Sequence, residues 1–162
     1  MKKQIIIVGK KSFIAINIYR FFKKKFQVKL LSYEDIEDKS NFSKVDYIIN
    51  CSSNLNYVKK KYSSKYDFDY LISKKITNYK NCKQVFLSSR KIYRPTKNIR
   101  ENGLVSLREN YSKNKYLTEK KLLKNIPDQV LILRISNLIG LPNLRGRKLH
   151  KTFIDYYLEN IK

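Results

Sequence analysis

The chain has 162 residues, a formal net charge of +23 and a pI near 10.0. This length suffices for one globular domain with a core and is too short for two domains of ordinary size. No apolar run approaches the roughly 20 residues of a membrane-spanning helix, and no cleavage site follows the short apolar run near the N-terminus. We therefore expect a cytoplasmic protein without a membrane partner. Cys51 and Cys82 have only His150 as an imidazole partner, which argues against a zinc site and a disulfide framework.

The excess of basic residues has two competing explanations. Lysine and arginine number 36 against 13 aspartates and glutamates, a balance typical of nucleic-acid-binding proteins. However, the chain contains a single alanine, Ala15, and no tryptophan, whereas residues with adenine- and thymine-rich codons are abundant. The lysines are also scattered along the chain and do not form one stripe. We therefore interpret most of the charge as a genomic base bias and predict no specific nucleic-acid partner.

Short apolar runs alternate with longer amphipathic ones, in the pattern of βαβ units. Strands are predicted at 4–8, 27–31, 46–51, 84–87 and 130–134, and helices at 13–25, 66–78, 111–124 and 148–160. The continuous apolar character of the strands predicts burial on both faces. Right-handed crossovers then favour a single α/β domain over 1–162, a doubly wound parallel sheet with helices on both faces. Such sheets bind ligands at the carboxyl ends of their strands.

The first predicted strand ends in a turn that has small residues at three positions, Gly9, Ser12 and Ala15. In a dinucleotide-binding fold, small residues let the backbone approach a pyrophosphate and let the helix pack on the sheet. The helix that follows begins with Phe13 and Ile14, and its unpaired amides favour an anion. The turn therefore predicts a nucleotide-binding corner, although an ordinary strand–turn–helix corner can have the same pattern.

Three further motifs follow the later strands in order. Ser88 and Ser89 end the fourth predicted strand, Tyr111 and Lys115 form a YxxxK motif in the next helix, and Asn137 follows the fifth strand. Tyrosine and lysine four residues apart share one face of a helix. An ammonium group beside a phenol favours the tyrosinate, which can exchange a proton with a substrate hydroxyl or carbonyl group.

These motifs, in this order, resemble the GxxGFIG, SSxxVY, YxxxK and LRxxNxxG segments of the extended short-chain dehydrogenase/reductase family. The resemblance covers essentially the whole chain. It implies a Rossmann-like fold, a nicotinamide cofactor, no metal, and the catalytic residues Ser89, Tyr111 and Lys115. It implies that the cofactor is bound by Gly9, Ser12, Phe13, Ile14, Ser32, Cys51, Ser52, Tyr111, Lys115 and Asn137.

The resemblance also limits the classes of reaction that we expect of this chain. Dehydratases of the family carry an Asp-Glu pair directly after the catalytic hydroxyl residue, and here those positions hold Arg90 and Lys91. A reductase resembling dTDP-4-dehydrorhamnose reductase, or a 4-epimerase, is therefore expected, with a nucleotide sugar as substrate and a role in polysaccharide biosynthesis. The cofactor is NAD or NADP. Because NAD-selective enzymes place an acidic residue where this chain has Ser32, the sequence slightly favours NADP.

Extended members of the family continue into a substrate-binding domain, and this sequence stops about twenty residues after the LRxxN segment, so we expect that domain to be absent. Two alternatives to an active oxidoreductase therefore stay open. One is a catalytically impaired nucleotide-binding remnant or module of the same family, and the other is a polyanion-binding protein, which only the charge supports. A homodimer is also left open.

Overall fold

The computed structural model describes residues 2–37, 42–136 and 138. Its strands are β1 (Gln4–Val8), β2 (Gln27–Leu31), β3 (Tyr47–Asn50), β4 (Lys83–Ser89) and β5 (Val130–Ile135). They form one parallel sheet in the order β2-β1-β3-β4-β5, so the strand order reverses its direction between β1 and β3. The predicted doubly wound parallel sheet is thereby confirmed.

Helices cover both faces of this sheet. They are α1 (Phe13–Phe22), α2 (Leu55–Lys59), α3 (Phe68–Ile76) and α4 (Asn110–Asn125). α1 packs on one face, in a core that includes Ile7 and Ile49, whereas α3 and α4 pack on the other face, in a core that includes Ile48 and Phe86. Successive strand residues point to opposite faces, so Ile48 and Ile49 belong to different cores.

The ends of the helices follow the side chains that cap them. α3 begins two residues later than predicted because a carboxylate oxygen of Asp67 accepts a hydrogen bond from the backbone N–H of Tyr70, at 3.1 Å. α1 ends at Phe22, before the predicted residue 25. The sequence did not predict α2, whose first turn is capped by Asn54. The helix predicted at 148–160 lies outside the described residues.

The strands differ in how far they are buried. β1 is buried along almost its whole length, as its apolar run predicts. β5, the last strand of the described sheet, is open on one side, where Leu131 is 55% exposed and Leu133 is 42% exposed. These leucines and Phe21 line an apolar groove of about 660 Å³. β4 is longer than predicted because Ser89 still pairs with Ile135. Within the described ranges, no helix has the length and apolar character needed to cross a membrane.

Candidate functional site

The turn after β1 requires glycine at residue 9. Gly9 has a φ of 105°, which side chains of L-residues rarely tolerate. A Cβ atom there would lie 3.0 Å from the backbone nitrogen of Ser52 and 3.1 Å from the carbonyl carbon of Cys51. The N–H of Gly9 donates to the carbonyl oxygen of Leu31 at 2.8 Å. The turn therefore lies in close contact with the chain that leaves β2 and β3.

α1 begins at this turn, and its first residues border the open space at the carboxyl ends of β1 and β3. Ser12 is the N-cap residue, and its side chain makes no capping hydrogen bond. Its backbone N–H donates to the carbonyl oxygen of Gly9 at 2.7 Å. The first amides of an α-helix have no partner within the helix. The start of α1 can therefore bind an anionic group such as a phosphate.

A cleft of about 960 Å³ lies at this end of the sheet, next to the point where the strand order reverses. It is lined by Gly9, Lys10, Lys11, Ser12, Phe13, Ile14, Ser32, Tyr33, Glu34, Cys51, Ser52, Ser53, Phe68 and Leu138. Seven of the residues that the sequence predicts to bind the cofactor are in this set, namely residues 9, 12, 13, 14, 32, 51 and 52. Of the other three, Tyr111 and Lys115 are on α4, and Asn137 lies outside the described residues.

The side chain of Asn50 shapes the wall of the cleft after β3. Its Oδ1 accepts hydrogen bonds from the backbone N–H of Ser52 at 3.0 Å and from the Ser52 hydroxyl at 2.8 Å. Its Nδ2 donates back to the carbonyl oxygen of Ser52 at 3.2 Å. The thiol of Cys51 lies in this turn, and burial raises its pKa to about 12. Cys51 is therefore a neutral thiol that contributes a small wall to the cleft.

Two carboxylates that are not among the predicted site residues, Glu34 and Asp35, lie shortly after the end of β2. Glu34 lines the cleft. Asp35 accepts a hydrogen bond from the backbone N–H of Ser32 at 2.8 Å and forms an ion pair with Lys10 at 3.3 Å. The hydrogen bond from Ser32 is the largest cause of the lowered pKa of Asp35. Both acidic residues could have been identified from the sequence, because they lie within three residues of Ser32, a predicted cofactor-binding residue.

The two serines at the end of β4 have different partners. The hydroxyl of Ser88 is buried and donates to a carboxylate oxygen of Glu119 at 2.6 Å. The hydroxyl oxygen of Ser89 instead accepts a hydrogen bond from the backbone N–H of Lys91 at 3.2 Å, which starts a short 3-10 helix. In the part of the chain that the structure describes, the Ser89 hydroxyl donates no hydrogen bond. Ser89 can therefore donate to a ligand.

Lys115 extends from α4 to the end of β4. Its ammonium group donates to the carbonyl oxygen of Leu87 at 2.8 Å and is only 9% exposed. The ring centres of Phe86, Tyr57 and Tyr111 lie 4.6, 5.7 and 5.9 Å from the ammonium nitrogen, respectively. Lys115 is thus held at the strand end that also carries Ser89. Tyr111 lies one turn earlier on α4 and is partly exposed in a groove of about 490 Å³.

Arg134 of the LRxxN segment has a structural partner, Glu119, that was not predicted from the sequence. Its Nε and Nη2 donate to the two carboxylate oxygens of Glu119, at 2.9 and 2.6 Å. The same guanidinium group also donates to the hydroxyl of Tyr93. Because Glu119 also accepts from Ser88, this cluster ties α4 to β4 and β5 next to the candidate catalytic residues.

A buried carboxyl group, Asp69 of α3, was also missed. It is 7% exposed, and the side-chain amide of Gln84 donates to its Oδ1 at 3.3 Å. A hydrogen bond from Asn50 and the positive charge of Lys115 favour its ionised form, but burial is the largest effect and raises its pKa to about 7. Asp69 therefore changes its charge near neutral pH.

A basic pocket of about 370 Å³ lies beyond the end of β4. It is lined by Arg90, Lys91, Tyr93, Pro95, Thr96, Ile99, Ser106, Arg108, Glu109 and Ser112. One carboxylate, that of Glu109, is paired with Lys91 at 3.1 Å. Arg90 and Arg108 add positive charge to the pocket, which suits an anionic ligand.

No protein-family model matches this sequence, and neither does any curated protein. The fold, in contrast, has clear neighbours among solved structures. A dTDP-4-dehydrorhamnose reductase from Clostridium acetobutylicum is 18% identical with a TM-score of 0.72, over 96% of this chain and 58% of that chain. The chain thus spans little more than half the length of that protein.

Two nucleotide-sugar epimerases give the same result. The UDP-N-acetylglucosamine 4-epimerase from Methanobrevibacter ruminantium, in complex with UDP-N-acetylmuramic acid, is 18% identical with a TM-score of 0.65, over 83% of this chain and 55% of that chain. The UDP-glucose 4-epimerase from Brucella ovis, in complex with NAD, is 14% identical with a TM-score of 0.67, over 83% of this chain and 52% of that chain. These similarities establish a shared fold, and the resemblance stated from the motifs is confirmed at that level.

Proposed function

We propose that the chain binds a nicotinamide dinucleotide in the cleft at the ends of β1, β2 and β3, and acts as a reductase or epimerase on a nucleotide sugar. The observation that carries this proposal is the clustering in one cleft of seven residues predicted independently of the structure. The fold neighbours add support, since one is in complex with NAD and another with a UDP-sugar derivative.

The residues of the cleft fit such a cofactor. Gly9 allows the backbone to approach a ligand closely, and the first amides of α1 would bind its pyrophosphate. Lys10 and Lys11 at the rim would add positive charge. The volume of about 960 Å³ lies at the upper end of the range for ligand pockets, as a dinucleotide requires.

The catalytic roles are assigned to Tyr111, Ser89 and Lys115. Tyr111 would hold the proton that moves to or from the substrate oxygen, and the hydroxyl of Ser89 would donate a hydrogen bond to that oxygen. Lys115 would place its positive charge near the phenol ring of Tyr111, 5.9 Å from the ring centre, and bind the ribose next to the nicotinamide. The nicotinamide ring, when bound, supplies or accepts the hydride. With Arg90 and Lys91 after Ser89, no acid–base pair for dehydration is available at those positions.

The nucleotide sugar has a candidate site in the basic pocket beyond β4. Arg90 and Arg108 line this pocket. Ser112 also lines it, and this residue lies in the first turn of α4, next to Tyr111 in the chain. Phosphate groups of the substrate would bind to the guanidinium groups there, since arginine pairs with phosphate through two parallel hydrogen bonds. The sugar would then extend towards Ser89 and Tyr111.

The NADP preference stays a prediction, because charges of both signs border the cleft. Glu34 would repel a 2'-phosphate and favour NAD. Lys10 and Lys11 would attract that phosphate, although the ion pair with Asp35 offsets the charge of Lys10. The comparison of NADH with NADPH is therefore the informative measurement.

Calorimetry of the purified chain with NADH and with NADPH tests the proposal directly. We expect binding of at least one dinucleotide and its weakening in Lys115→Met, with Lys113→Met as the matched control on the exposed side of the same helix. Oxidation of the bound dinucleotide by a panel of keto-sugar nucleotides then tests catalysis. Binding without turnover would instead support a nucleotide-binding module, and absence of binding to both dinucleotides would refute the proposed function.

A further inference from the structure

We infer that Lys91 exchanges its partner Glu109 for a carboxylate on the sugar of the substrate, so that the site favours a nucleotide sugar whose sugar is an acid. This inference rests on the proposed function, because it specifies the substrate of the same site. Lys91 already holds a carboxylate in this structure, since its ammonium nitrogen lies 3.1 Å from a carboxylate oxygen of Glu109.

The Lys91–Glu109 ion pair lies between two cavities. Both residues line the basic pocket of about 370 Å³, and both also line the groove of about 490 Å³ that contains Tyr111. Among the described lining residues, Arg90 and Arg108 belong to the pocket and not to the groove, whereas Tyr111 belongs to the groove and not to the pocket. A nucleotide sugar with its phosphates at the two arginines therefore reaches Tyr111 past the ion pair.

Hydrogen bonds of the backbone fix both members of the pair next to the candidate catalytic residues. The backbone N–H of Lys91 donates to the hydroxyl oxygen of Ser89 at 3.2 Å. Glu109 is the N-cap residue of α4, two residues before Tyr111, and its backbone N–H donates to the hydroxyl oxygen of Ser112 at 3.3 Å. The ion pair thus connects the end of β4 with the start of α4, where the sugar would lie.

Lys91 can exchange one carboxylate for another at little cost. The side chains of Lys91 and Glu109 are 58% and 62% exposed, and an exposed ion pair contributes little to stability. A bound sugar would exclude water from the ammonium group, and a charge-assisted hydrogen bond is stronger in such surroundings. The phosphates would have Arg90 and Arg108 as partners, so the charge of Lys91 is left for the sugar.

The selectivity can be measured with two nucleotide sugars that differ only at C6 of the hexose. UDP-glucuronate has a carboxylate there, and UDP-glucose has a hydroxymethyl group. Calorimetry of the purified chain at one ionic strength should give about tenfold tighter binding of UDP-glucuronate, the effect of one charge-assisted hydrogen bond. Equal affinities, or no binding of either ligand, would overturn the inference.

Two variants separate a contact with the sugar from a contact with the phosphates. Lys91→Met should reduce the preference to about twofold or less, because only general attraction would remain, and should leave the affinity for UDP-glucose unchanged. Lys113→Met removes an exposed lysine from the first turn of α4 and should keep the full preference. Equal weakening of both ligands in Lys91→Met would mean that Lys91 binds the phosphates, which would overturn the inference.

Replacing Glu109 by glutamine tests the exchange itself, since this change removes the competing charge and nearly keeps the size of the side chain. The affinity for UDP-glucuronate should rise by about three- to fivefold, and the affinity for UDP-glucose should stay the same. An unchanged affinity for UDP-glucuronate would contradict the exchange.

Titration of the same chain with NADH and NADPH distinguishes a failure of this inference from a failure of the proposed function. Absence of binding to both dinucleotides would refute the proposed function. If a dinucleotide binds but UDP-glucuronate and UDP-glucose bind equally well, the proposed function stands and the role of Lys91 is refuted.

Discussion

The ammonium group of Lys115 donates a 2.8 Å hydrogen bond to the carbonyl oxygen of Leu87, two residues before Ser89 on β4. This bond fixes α4 relative to the end of the strand. Because Tyr111 lies one turn before Lys115 on the same helix, the bond also limits where the phenol can lie relative to the Ser89 hydroxyl. Together with the 2.6 Å hydrogen bond from Ser88 to Glu119, it holds α4 against β4 beside the candidate catalytic residues.

Replacing Tyr111 by phenylalanine tests its assignment as acid and base. We expect turnover of a keto-sugar nucleotide to fall by about 100-fold or more, because the proton would have to come from water. Calorimetry should give the same dinucleotide affinity as in the wild type. Tyr116→Phe, on the same helix, is the control and should keep its activity. Equal loss in both variants would contradict the assignment.

Replacing Gly9 by alanine tests the close approach of the turn to β3. The φ of 105° and the 3.0 Å distance from the added Cβ to the backbone nitrogen of Ser52 both oppose a side chain. We expect the free energy of unfolding in urea to fall by about 1 to 3 kcal/mol, and dinucleotide affinity to weaken. Lys10→Ala, at the adjacent exposed position, should be close to the wild type in stability. A Gly9→Ala variant of wild-type stability would show that the turn is adaptable.

Replacing Glu34 by glutamine tests its effect on cofactor choice. Without the carboxylate, the affinity for NADPH relative to NADH should rise by roughly two- to fivefold, a modest change because Glu34 is exposed. The ratio comes from calorimetric titrations of both cofactors at one ionic strength. Asp128→Asn, before β5 and thus at the other end of the sheet, is the control. An unchanged ratio would mean that the 2'-position does not lie near Glu34.

The sequence predicted the sheet and the tight turn at Gly9 because local patterns carry that information. The apolar run of β1 and the glycine at its end are adjacent in the chain, so together they predict a strand and a turn without information about distant residues. Partners far apart in sequence were missed. Arg134 was assigned to a motif, but its contact with Glu119, fifteen residues away, depends on how α4 packs on β5.

Asp69 could have been found from its spacing. It precedes Ile72 by three residues and Ile76 by seven, so it shares their apolar face of α3. The predicted helix includes all three residues, so a carboxyl group on the apolar face of that helix is visible in the sequence. The solvent exposure of Leu131 and Leu133 could not be predicted from residue spacing. Their apolar run has the same pattern whether one face of β5 is covered or exposed.

Replacing Arg134 by methionine tests the structural cluster beside the site. The carboxylate of Glu119, only 4% exposed, would lose its bidentate partner. Leaving a buried charge unpaired should lower the free energy of unfolding by about 3 kcal/mol. Lys91→Met is the control, because the Lys91–Glu109 pair is exposed and should contribute less than about 1 kcal/mol. Similar losses in urea denaturation of both variants would contradict this account.

The buried carboxyl group of Asp69 should also make stability depend on pH. Burial raises its pKa to about 7 in the folded chain, whereas an aspartate in the unfolded chain titrates near about 3.9. Between these values the folded chain holds a proton that the unfolded chain has released. Asp69 therefore destabilises the fold progressively as pH rises from about 4 to about 7, and its effect levels off above that pKa.

Asparagine at position 69 cannot ionise, so its variant should escape this loss. The free energy of unfolding of Asp69→Asn, minus that of the wild type, should increase with pH over the same window, by up to about 1.4 kcal/mol per pH unit. Urea denaturation at several pH values between 4 and 8 gives this difference. Asp128→Asn, an exposed aspartate, should run parallel to the wild type. Both variants remove one aspartate, so a pH-dependent difference in the free energy of unfolding found only for Asp69→Asn arises from burial of its carboxyl group. If the stability of Asp69→Asn instead runs parallel to that of the wild type, Asp69 is ionised over the whole range from pH 4 to pH 8.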